Sequence, residues 1–282
     1  MRVCAQCGKS NEAQYKFCLG CGSDLPEDTV GLPSAAPIAA AAATGTSCFA
    51  CNAAVPEGYR FCPNCGSDQQ RSAPATGGQL VLIRPDGTDG GTHPLMVGEN
   101  AIGRAAGLLF EADGYLSPHH AELELGAAGL IVRDANSRNG VFVKVQHEEE
   151  IFDGDVFRIG QELLRFDVIP APQLLEDGTE VLGSPNPGYW GRLAIIVGAD
   201  QEGSAFPLNA DSIQLGRERG DILFPEDGYV SGSHAKVSLR DGSAWLEDLG
   251  SSNGTFLQIR GELQIQAGAF LLMGQQLFRV EY

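Results

Sequence analysis

Positive charge is scarce in this sequence. The 282 residues include 19 lysines and arginines against 36 aspartates and glutamates, so the net charge is −17 at pH 7. Proteins that bind nucleic acids or anionic membranes need basic patches, because those ligands carry dense negative charge. The sequence therefore argues against a nucleic-acid or membrane partner. Any anion that the chain binds must be held by a few local arginines.

Long hydrophobic runs are also missing. The longest apolar stretch, Ala35 to Ala43, consists mostly of alanine. It is far shorter than the about 20 residues that a membrane-spanning helix needs. The opening residues, Met1 to Cys7, contain no apolar segment of the kind found in signal peptides. We therefore expect a cytoplasmic protein.

Cysteine is absent after position 65, whereas the first 65 residues contain eight. The eight form two sets with the same spacing, C-x2-C-x10-C-x2-C, and the sets lie 44 residues apart: Cys4, Cys7, Cys18 and Cys21, then Cys48, Cys51, Cys62 and Cys65. Each C-x2-C pair directs two thiolates to one centre, and two pairs complete a tetrahedral site with no open position. The segment resembles a double zinc ribbon, which implies two structural Zn2+ ions.

Disulfides and a redox dithiol are less consistent with these cysteines than zinc is. An even number of cysteines permits disulfides, but a chain without a signal peptide is expected in a reducing compartment. A redox-active C-x2-C of the thioredoxin type needs a βαβ context, which this sequence does not show. Each module is so short that zinc must supply most of its folding free energy.

Groups arranged for catalysis are missing as well. The sequence shows no Gly-rich nucleotide loop, no nucleophile beside a base and no metal site with an open position, so we expect no enzyme. Instead, three polar clusters follow short apolar runs: Leu215-Gly216-Arg217, Ser231-Gly232-Ser233-His234 and Ser251-Ser252-Asn253-Gly254. Guanidinium, hydroxyl, amide and exposed backbone groups all donate hydrogen bonds, which suits the binding of an anion.

The same clusters occur upstream, as Ile102-Gly103-Arg104, Ser117-Pro118-His119-His120 and Ser137-Arg138-Asn139-Gly140. From Ser117 onward, equivalent residues lie 114 positions apart, for example Ser117 and Ser231. One whole domain has therefore been duplicated in tandem. A solenoid would show shorter periods and more copies.

The order and spacing of the three clusters resemble the forkhead-associated (FHA) domain, a β-sandwich that binds phosphothreonine peptides. This resemblance implies that the loops carrying the clusters converge on the phosphate. In the second repeat it implies a phosphopeptide site with an arginine on the phosphate, hydroxyl and backbone donors beside it, an asparagine on the peptide main chain and a histidine that supports the loop: Arg217, Ser231, Gly232, Ser252, Asn253 and His234. The corresponding set in the first repeat is Arg104, Ser117, Arg138 and Asn139, with His120 as the loop support.

The first repeat departs from the family pattern. Arg138 stands where the second repeat has Ser252, and it either adds a charge-assisted bond or blocks the family geometry. Pro118 offers no backbone donor where Gly232 does. Val141 replaces the threonine found at Thr255. The second site therefore matches the family more closely. Arg133 and Arg219 are further local arginines that could balance the acidic chain.

Short apolar runs separated by glycine, aspartate and asparagine predict β-strands in both repeats, for example Leu80 to Ile83 and Val156 to Ile159. We predict a mainly β protein with two FHA-type β-sandwiches, preceded by small Cys4 zinc-ribbon modules. The predicted boundaries are zinc modules at 1–25 and 48–68, linkers at 26–47 and 69–78, a first FHA domain at 79–169, a linker at 170–190 and a second FHA domain at 191–282.

The predicted function is that of a non-enzymatic adaptor in Ser/Thr kinase signalling. Its FHA domains bind phosphothreonine-containing proteins, and its zinc ribbons serve as further interaction modules. Thr29 and Thr179 each follow acidic residues and precede a leucine by three positions, where FHA domains commonly select. We hypothesise that a Ser/Thr kinase phosphorylates them and that an FHA domain captures them. Two alternatives stay open: a zinc-ribbon protein associated with nucleic acid or transcription, although neither module forms a basic stripe, and a structural scaffold with degenerate FHA sites.

Overall fold

The structure is a computed structural model that describes residues 2–21, 23–25, 45–48, 53–56, 59–67, 76–171, 175–199 and 201–282. The chain divides into two compact units, Met1–Thr76 and Gly77–Tyr282. Each unit is described by itself below.

The first unit contains two short β-hairpins and two small clusters of buried cysteines. Strand β1 (Arg2–Val3) pairs antiparallel with β2 (Ser10–Asn11), and β3 (Gly45–Ser47) pairs antiparallel with β4 (Ala54–Pro56). The buried groups of its two small clusters are mostly thiols: Cys4, Cys18, Leu25, Cys48, Val55 and Cys62. Among the described residues of this unit, so little apolar surface is buried that it cannot offset the conformational entropy of the chain.

The two cysteine-rich segments contact each other within this unit. The backbone N–H groups of Lys16 and Phe17 both donate to the carbonyl of Pro63, at 3.1 and 3.3 Å. The Lys9 ammonium lies 4.6 Å from the centre of the Tyr59 ring. The two ribbons therefore form one body, even though residues 26–44 separate them in sequence.

The second unit is almost entirely β. Its strands in chain order are β5 (Thr76–Ile83), β6 (Asp89–Met96), β7 (Gly98–Ile102), β8 (Ala121–Gly126), β9 (Gly129–Asp134), β10 (Val141–Lys144), β11 (Glu149–Ile151), β12 (Val156–Ile159), β13 (Glu162–Val168), β14 (Gly191–Gly198), β15 (Gln201–Leu208), β16 (Ser212–Gly216), β17 (Ile222–Leu223), β18 (Ala235–Arg240), β19 (Ser243–Asp248), β20 (Thr255–Gln258), β21 (Glu262–Ile265), β22 (Phe270–Met273) and β23 (Gln276–Glu281). A 3-10 turn (Arg104–Ala106) and a short helix, α1 (Leu108–Glu111), follow β7. Within the described residues, no helix has the length and apolar character needed to cross a membrane.

One ten-stranded sheet runs through the whole unit, in the order β15-β14-β13-β12-β20-β10-β22-β23-β5-β6. A four-stranded sheet, β21-β9-β8-β7, packs on one half of it, and a five-stranded sheet, β11-β19-β18-β16-β17, packs on the other half. The result is two β-sandwiches that share a layer. The predicted mainly β class with two sandwiches is confirmed.

Each sandwich draws strands from both sequence repeats. The first sandwich contains β5–β10 from the first repeat but is completed by β21, β22 and β23 from the end of the second. The second contains β14–β20 and is completed by β11, β12 and β13. The predicted domains 79–169 and 191–282 therefore describe the sequence repeats, and neither range alone forms one of the sandwiches.

The hydrophobic cores show the same exchange. The first core includes Leu80, Phe110 and Leu123 together with Leu271 and Phe278. The second core packs Leu215, Val237 and Leu246 against Phe157 and Leu164. All of these side chains are fully buried. Strand exchange therefore contributes directly to the burial that stabilises both sandwiches.

The crossing segments explain why the chain does not turn back. Between β10 and β11, residues 145–148 read Val-Gln-His-Glu and lack the glycine, asparagine or aspartate of a tight hairpin. Val145 inserts into the second core, and its N–H donates to the Thr255 carbonyl at 2.8 Å. At the equivalent crossing, Ile259 inserts into the first core and donates to Val141 at 2.9 Å. Each crossing is thus anchored in the opposite sandwich.

The segment 170–190 lies between β13 and β14, which are hydrogen-bonded neighbours in the sheet, with Val168 opposite Gly191. It therefore connects adjacent antiparallel strands, as the loop of a long hairpin does. The residues 26–44 and 68–75 of the other predicted linkers lie outside the described residues.

Candidate anion-binding sites and metal centre

Three loops meet at one end of the second sandwich. The backbone N–H of Arg217, just after β16, donates to the Ser231 carbonyl at 2.9 Å. The N–H of Ser252 donates to the Ser231 hydroxyl at 3.0 Å, and the Asn253 side chain donates to the Tyr229 carbonyl at 2.7 Å. Four of the residues that the sequence predicts for this site, Arg217, Ser231, Ser252 and Asn253, therefore lie together on loops held by rigid strands.

The Ser231 hydroxyl is oriented by this contact. Its oxygen accepts the N–H of Ser252, which leaves the hydroxyl proton to donate elsewhere. Asn253 uses one amide N–H on Tyr229 and keeps a second N–H and its carbonyl oxygen. Ser252 and Asn253 are exposed. The loops therefore present several hydrogen-bonding groups toward solvent.

A buried histidine connects the loop that contains Ser231 with the loop that contains Gly254. His234 is fully buried, its Nδ1 accepts from the Ser231 N–H at 3.0 Å, and its Nε2 lies 3.2 Å from the Gly254 carbonyl. Because Nδ1 accepts, the proton must sit on Nε2, which then donates to Gly254. Burial lowers the pKa of His234, which favours the neutral ring that this arrangement requires.

Asp248 organises the third loop, a role that sequence reasoning did not assign. Its carboxylate accepts from the Ser251 N–H and hydroxyl, at 2.9 and 2.7 Å, and from the Thr255 hydroxyl at 2.7 Å. The Ser251 hydroxyl in turn accepts from the Gly254 N–H at 2.9 Å. Burial alone would raise the pKa of Asp248, but the hydrogen bonds from Thr255 and Ser251 outweigh it and lower the pKa.

The glycine before each site arginine is required by close packing. A Cβ on Gly103 would lie 2.7 Å from the Ser117 carbonyl oxygen, and one on Gly216 would overlap the backbone of Arg219 and Gly232. Only glycine lets the serine loop lie directly on the strand end. The Gly-Arg pair therefore belongs to the same structural unit as the Ser-x-x-His cluster.

The site arginine of the second repeat is half exposed and already has a partner. Its guanidinium donates to the Glu218 carboxylate at 2.8 Å and to the Gly228 carbonyl at 3.4 Å. An incoming anion must displace Glu218 or share Arg217 with it. Surface pairs of this kind contribute only about 0–1 kcal/mol, so displacement costs little. Gly232 lies beside Glu218 and Arg219.

The first repeat reproduces most of this geometry. The Arg138 N–H donates to the Ser117 hydroxyl at 3.1 Å, and Asn139 donates to the Tyr115 carbonyl at 2.7 Å. His120 accepts from the Ser117 N–H at 3.0 Å and lies 2.9 Å from the Gly140 carbonyl. The Arg104 N–H donates to the Ser117 carbonyl at 3.1 Å. The exposed Arg138 side chain stands at the position of Ser252.

Arg133, which was expected to balance the acidic chain near the first site, is already paired with two carboxylates. Its guanidinium donates to Glu124 at 3.0 Å and to Glu262 at 2.9 Å. Glu262 belongs to β21, which strand exchange brings beside β9. The sequence could not show the contact with Glu262, because that partner lies 129 residues away.

The metal centre fits the predicted ligands. The sulfur atoms of Cys4, Cys7, Cys18 and Cys21 all lie within 4.8 Å of one another, with a Cys4–Cys21 separation of 3.6 Å and a Cys7–Cys18 separation of 3.5 Å. Disulfide sulfurs lie about 2.05 Å apart. Four thiolates around Zn2+, with Zn–S near about 2.3 Å, would lie about 3.8 Å apart. The measured separations are therefore those of a zinc site rather than of disulfides.

Donors around Cys18 favour its thiolate form. Burial opposes ionisation, but the Gly20 N–H and the Asn11 amide contact its sulfur at 3.3 and 3.5 Å and lower its pKa to about 6. In the second ribbon, Cys48, Cys62 and Cys65 form an equivalent cluster, while Cys51 lies outside the described residues. The predicted zinc-binding clusters are confirmed.

Models of known protein families match both the cysteine-rich part and the β-sandwich part of the chain. Residues 4–66 match the family described as double zinc ribbon. Residues 100–160 and 213–274 each match the FHA domain family. The predicted architecture is thereby confirmed.

Curated relatives match over a limited part of their length. FhaB of Mycobacterium tuberculosis, an FHA domain-containing protein, is 31% identical over 77 residues, which is 27% of this chain and 50% of FhaB. The E3 ubiquitin-protein ligase CHFR of Xenopus tropicalis is 38% identical over 80 residues, which is 27% of this chain and 12% of the ligase. This chain thus spans half of FhaB and a small part of CHFR.

Solved structures also match over part of the chain. Mycobacterium tuberculosis EmbR in complex with a low-affinity phosphopeptide matches with a TM-score of 0.21 and 20% identity, over 38% of this chain and 26% of EmbR. The FHA domain of the CT664 protein from Chlamydia trachomatis matches with a TM-score of 0.18 and 29% identity, over 28% of this chain and 84% of that domain.

Proposed function

This chain carries a double zinc ribbon and two FHA domains, and from that premise we propose that it is a phosphothreonine-binding adaptor without enzymatic activity. The observation that carries the proposal is the convergence of Arg217, Ser231 and Asn253 on one exposed surface. These groups offer charge, a free hydroxyl proton and amide groups, which match a phosphate followed by a peptide main chain. The match of residues 213–274 to the FHA domain family supports the same assignment.

Each site residue takes a defined role in this proposal. Arg217 pairs with phosphate oxygens, Ser231 donates its remaining proton, and Ser252 with the Gly232 backbone adds further donors. Asn253 holds the peptide main chain, and His234 keeps the two loops at a fixed separation. In the first site, Arg104, Ser117, Arg138 and Asn139 act in the same way, with His120 below them. Arg138 there replaces a hydroxyl with a second positive charge.

The strength of the interaction follows from the number of contacts. Three hydrogen bonds to a charged phosphate, at about 1.5–3 kcal/mol each, give a gross gain of about 5–9 kcal/mol. The cost of association reduces this, so micromolar and reversible binding is expected. Such affinity suits an adaptor in Ser/Thr kinase signalling, acting in the cytoplasm, with the zinc ribbons as a second contact surface.

Titration calorimetry with a phosphothreonine peptide tests this function. Arg217→Ala should weaken binding to the second site about 10- to 150-fold, since a hydrogen bond to a charged group is lost. Arg104→Ala reports on the first site in the same way. The unphosphorylated peptide and a phosphoserine peptide serve as controls. Equal binding of phosphorylated and unphosphorylated peptides, or full affinity in a chain that carries both Arg104→Ala and Arg217→Ala, would contradict the proposal.

The linker threonines fit the same function as ligands of the chain's own sites. Thr179 is exposed, its N–H donates to Asp177 at 3.0 Å, and its carbonyl accepts from Leu175 at 2.9 Å. Thr29 lies outside the described residues. We propose that a Ser/Thr kinase phosphorylates both, adding about −1.5 to −2 charge at each position. Capture within one chain would benefit from a millimolar-range effective concentration.

Competition measures this autoregulation. After kinase treatment, the wild-type chain should bind an external phosphopeptide more weakly than the Thr29→Ala, Thr179→Ala double variant treated identically. Phosphatase treatment should abolish the difference. If treated wild type and treated variant bind the peptide equally, the linker threonines do not regulate the sites.

A further inference from the structure

Strand exchange places a lysine of the first repeat against the second site. Lys144, the last residue of β10, packs on the Asn253–Gly254 turn so closely that a Cβ on Gly254 would lie 2.5 Å from its Cε and 3.2 Å from its Nζ. The carbonyl of Gly254 also contacts Nε2 of His234. A cation that the sequence assigns to the first repeat therefore lies beside the anion-binding loops of the second.

This lysine belongs to a row of alternating cations and aromatic rings. Across neighbouring strands, Phe256 is opposite both Arg158 and Lys144, and Phe270 is opposite Arg279. The Lys144 ammonium lies 5.4 Å from the centre of the Phe270 ring, which joins the two halves of the row. Residues directly opposite each other share a face of the sheet. The row therefore runs across five strands on one surface.

The row lies on the outer face of the ten-stranded sheet. Leu257 faces the second core, so its neighbour Phe256 points to the opposite side. Phe256 instead clusters with Phe142 and Leu272 in a separate apolar group. A cleft of about 590 Å3 follows this surface and reaches the site itself, where its walls include Tyr229, Ser252 and Asn253. Lys144, Arg158 and Phe256 line the same cleft.

Two cations of the row have no carboxylate at ion-pair distance among the described residues. Arg279 is neutralised by Asp89 and Glu281, each at hydrogen-bond distance. Arg158 donates only to neutral groups, the Gly160 carbonyl at 2.8 Å and the Gln161 side chain at 2.9 Å. Lys144 contacts the Phe270 ring. Arg158 and Lys144 flank Phe256, and the Asp227 carboxylate acts on Arg158 electrostatically without an ion-pair contact. In a chain with a net charge of −17, two cations that form no ion pair among the described residues mark a place for an acidic ligand.

The equivalent surface at the first site lacks both charges. Gln258 occupies the position of Lys144, and its side-chain Cδ lies 2.8 Å from where a Cβ of Gly140 would be. Leu272 occupies the position of Arg158, 114 residues later. The surface beside the first site is therefore neutral at the two positions where the second site has cations. The natural residues of the first site can replace those cations in a test.

We propose that Lys144 and Arg158 complete the second peptide site and select phosphothreonine peptides with acidic residues next to the phosphothreonine. The inference rests on the proposed function, because the cleft begins at the phosphate loops. Carboxylates of the peptide would lie over the apolar floor and pair with the two cations. The segment around Thr179 has this chemistry, with Glu176, Asp177 and Glu180 beside the threonine.

The probe is a phosphopeptide with the sequence of residues 173–184, phosphorylated at Thr179, and its neutral form carrying Glu176→Gln, Asp177→Asn and Glu180→Gln. Calorimetry uses the full chain with Arg104→Ala, so that the second site is read alone. We expect the acidic peptide to bind about twofold to thirtyfold more tightly than the neutral one, the range of two partly exposed ion pairs. The preference should shrink as salt is added.

Substitution by the residues of the other repeat gives the decisive comparison. Lys144→Gln with Arg158→Leu should reduce the preference to about onefold to twofold, with each single change giving part of the loss. Gln258→Lys, which places a lysine beside Gly140 of the first site, should leave the preference intact. Equal binding of both peptides to the parent chain, or an unchanged preference in the double variant, would overturn the inference. If neither phosphopeptide binds, or Arg217→Ala has no effect, the proposed function itself fails.

Discussion

Deletion of residues 262–282 should unfold the first sandwich and leave the second folded, although every deleted residue belongs to the second sequence repeat. The deletion removes β21–β23, which supply Ile265, Leu271, Met273, Phe278 and Val280 to the first core. Burial of a large apolar side chain contributes about 1.5–3 kcal/mol, so five of them contribute about 8–15 kcal/mol. That equals the free energy of unfolding of a whole domain, about 5–15 kcal/mol.

Hydrogen exchange read by mass spectrometry checks this result. Amides in β5–β9 should lose protection after the deletion, whereas amides in β16–β20 should keep it. Two repeats folded independently would give the opposite pattern, with protection lost in 191–261 and kept in 77–169. The readout does not depend on peptide binding, so it tests the exchange alone.

Two engineered cysteine pairs distinguish strand exchange from repeats that fold separately. Residues 77–282 contain no cysteine. Gln79 lies opposite Glu281, and Asp167 lies opposite Arg192. Gln79→Cys with Glu281→Cys should therefore form a disulfide within one chain, because cross-strand Cα atoms are about 4.5–5.5 Å apart. Gln79→Cys with Asp167→Cys would join only if each repeat closed on itself, so efficient oxidation of that pair would refute the exchange.

Removal of zinc should unfold the first unit and leave the second intact. In the part of the ribbons that the structure describes, the cores contain few apolar side chains apart from cysteine. Structural zinc contributes about 10–16 kcal/mol in zinc-finger peptides, which is more than this burial can supply. Metal analysis should find two Zn2+ per chain, and a chelator should abolish hydrogen-exchange protection at residues 2–21 and 59–67.

Single ligand changes sharpen the zinc prediction. Cys18→Ser should reduce the zinc content to one ion per chain, and Cys62→Ser should do the same through the other cluster. Phosphopeptide affinity of the second unit provides the internal control for global damage. Retention of protection in the metal-free first unit would contradict a structural role for zinc.

Much of the site could be predicted because its residues are close in sequence and repeated. The Ser-x-x-His and Ser-x-Asn-Gly motifs are short. The first contains the serine and the histidine ring that accepts a hydrogen bond from the serine N–H, and the second contains the glycine whose carbonyl contacts the other ring nitrogen. The cysteine spacing is equally local. The role of Asp248 was missed, since a carboxylate that accepts four hydrogen bonds from its own loop looks like an ordinary turn residue.

Several strands were missed for a physical reason. β6 and β15 contain proline and glycine, which weaken any strand signal. They are the two edge strands of the ten-stranded sheet, where the N–H that proline lacks does not interrupt the hydrogen bonds between strands. There, proline also discourages pairing with other molecules.

Strand exchange could not be predicted from the pattern, because the two repeats supply strands of similar polarity. Phe157 and Leu271 occupy equivalent places in two equivalent cores, so hydrophobic periodicity fits either pairing. Of the two crossing segments, only the first, 145–148, lacks turn residues, whereas the second contains Gly261. The same ambiguity hid Lys144, whose contact with Gly254 exists only in the exchanged arrangement.

The pairing of β10 with β20 has a consequence for ligands that carry two phosphothreonines. Phe142, Val143 and Lys144 lie opposite Gln258, Leu257 and Phe256, so backbone hydrogen bonds cross the boundary between the sandwiches. The loops of the two candidate phosphate sites are then held at one fixed distance from each other. A bivalent ligand gains avidity only when its spacer matches that distance. Affinity plotted against spacer length should show a threshold rather than the gradual dependence of two freely tethered modules.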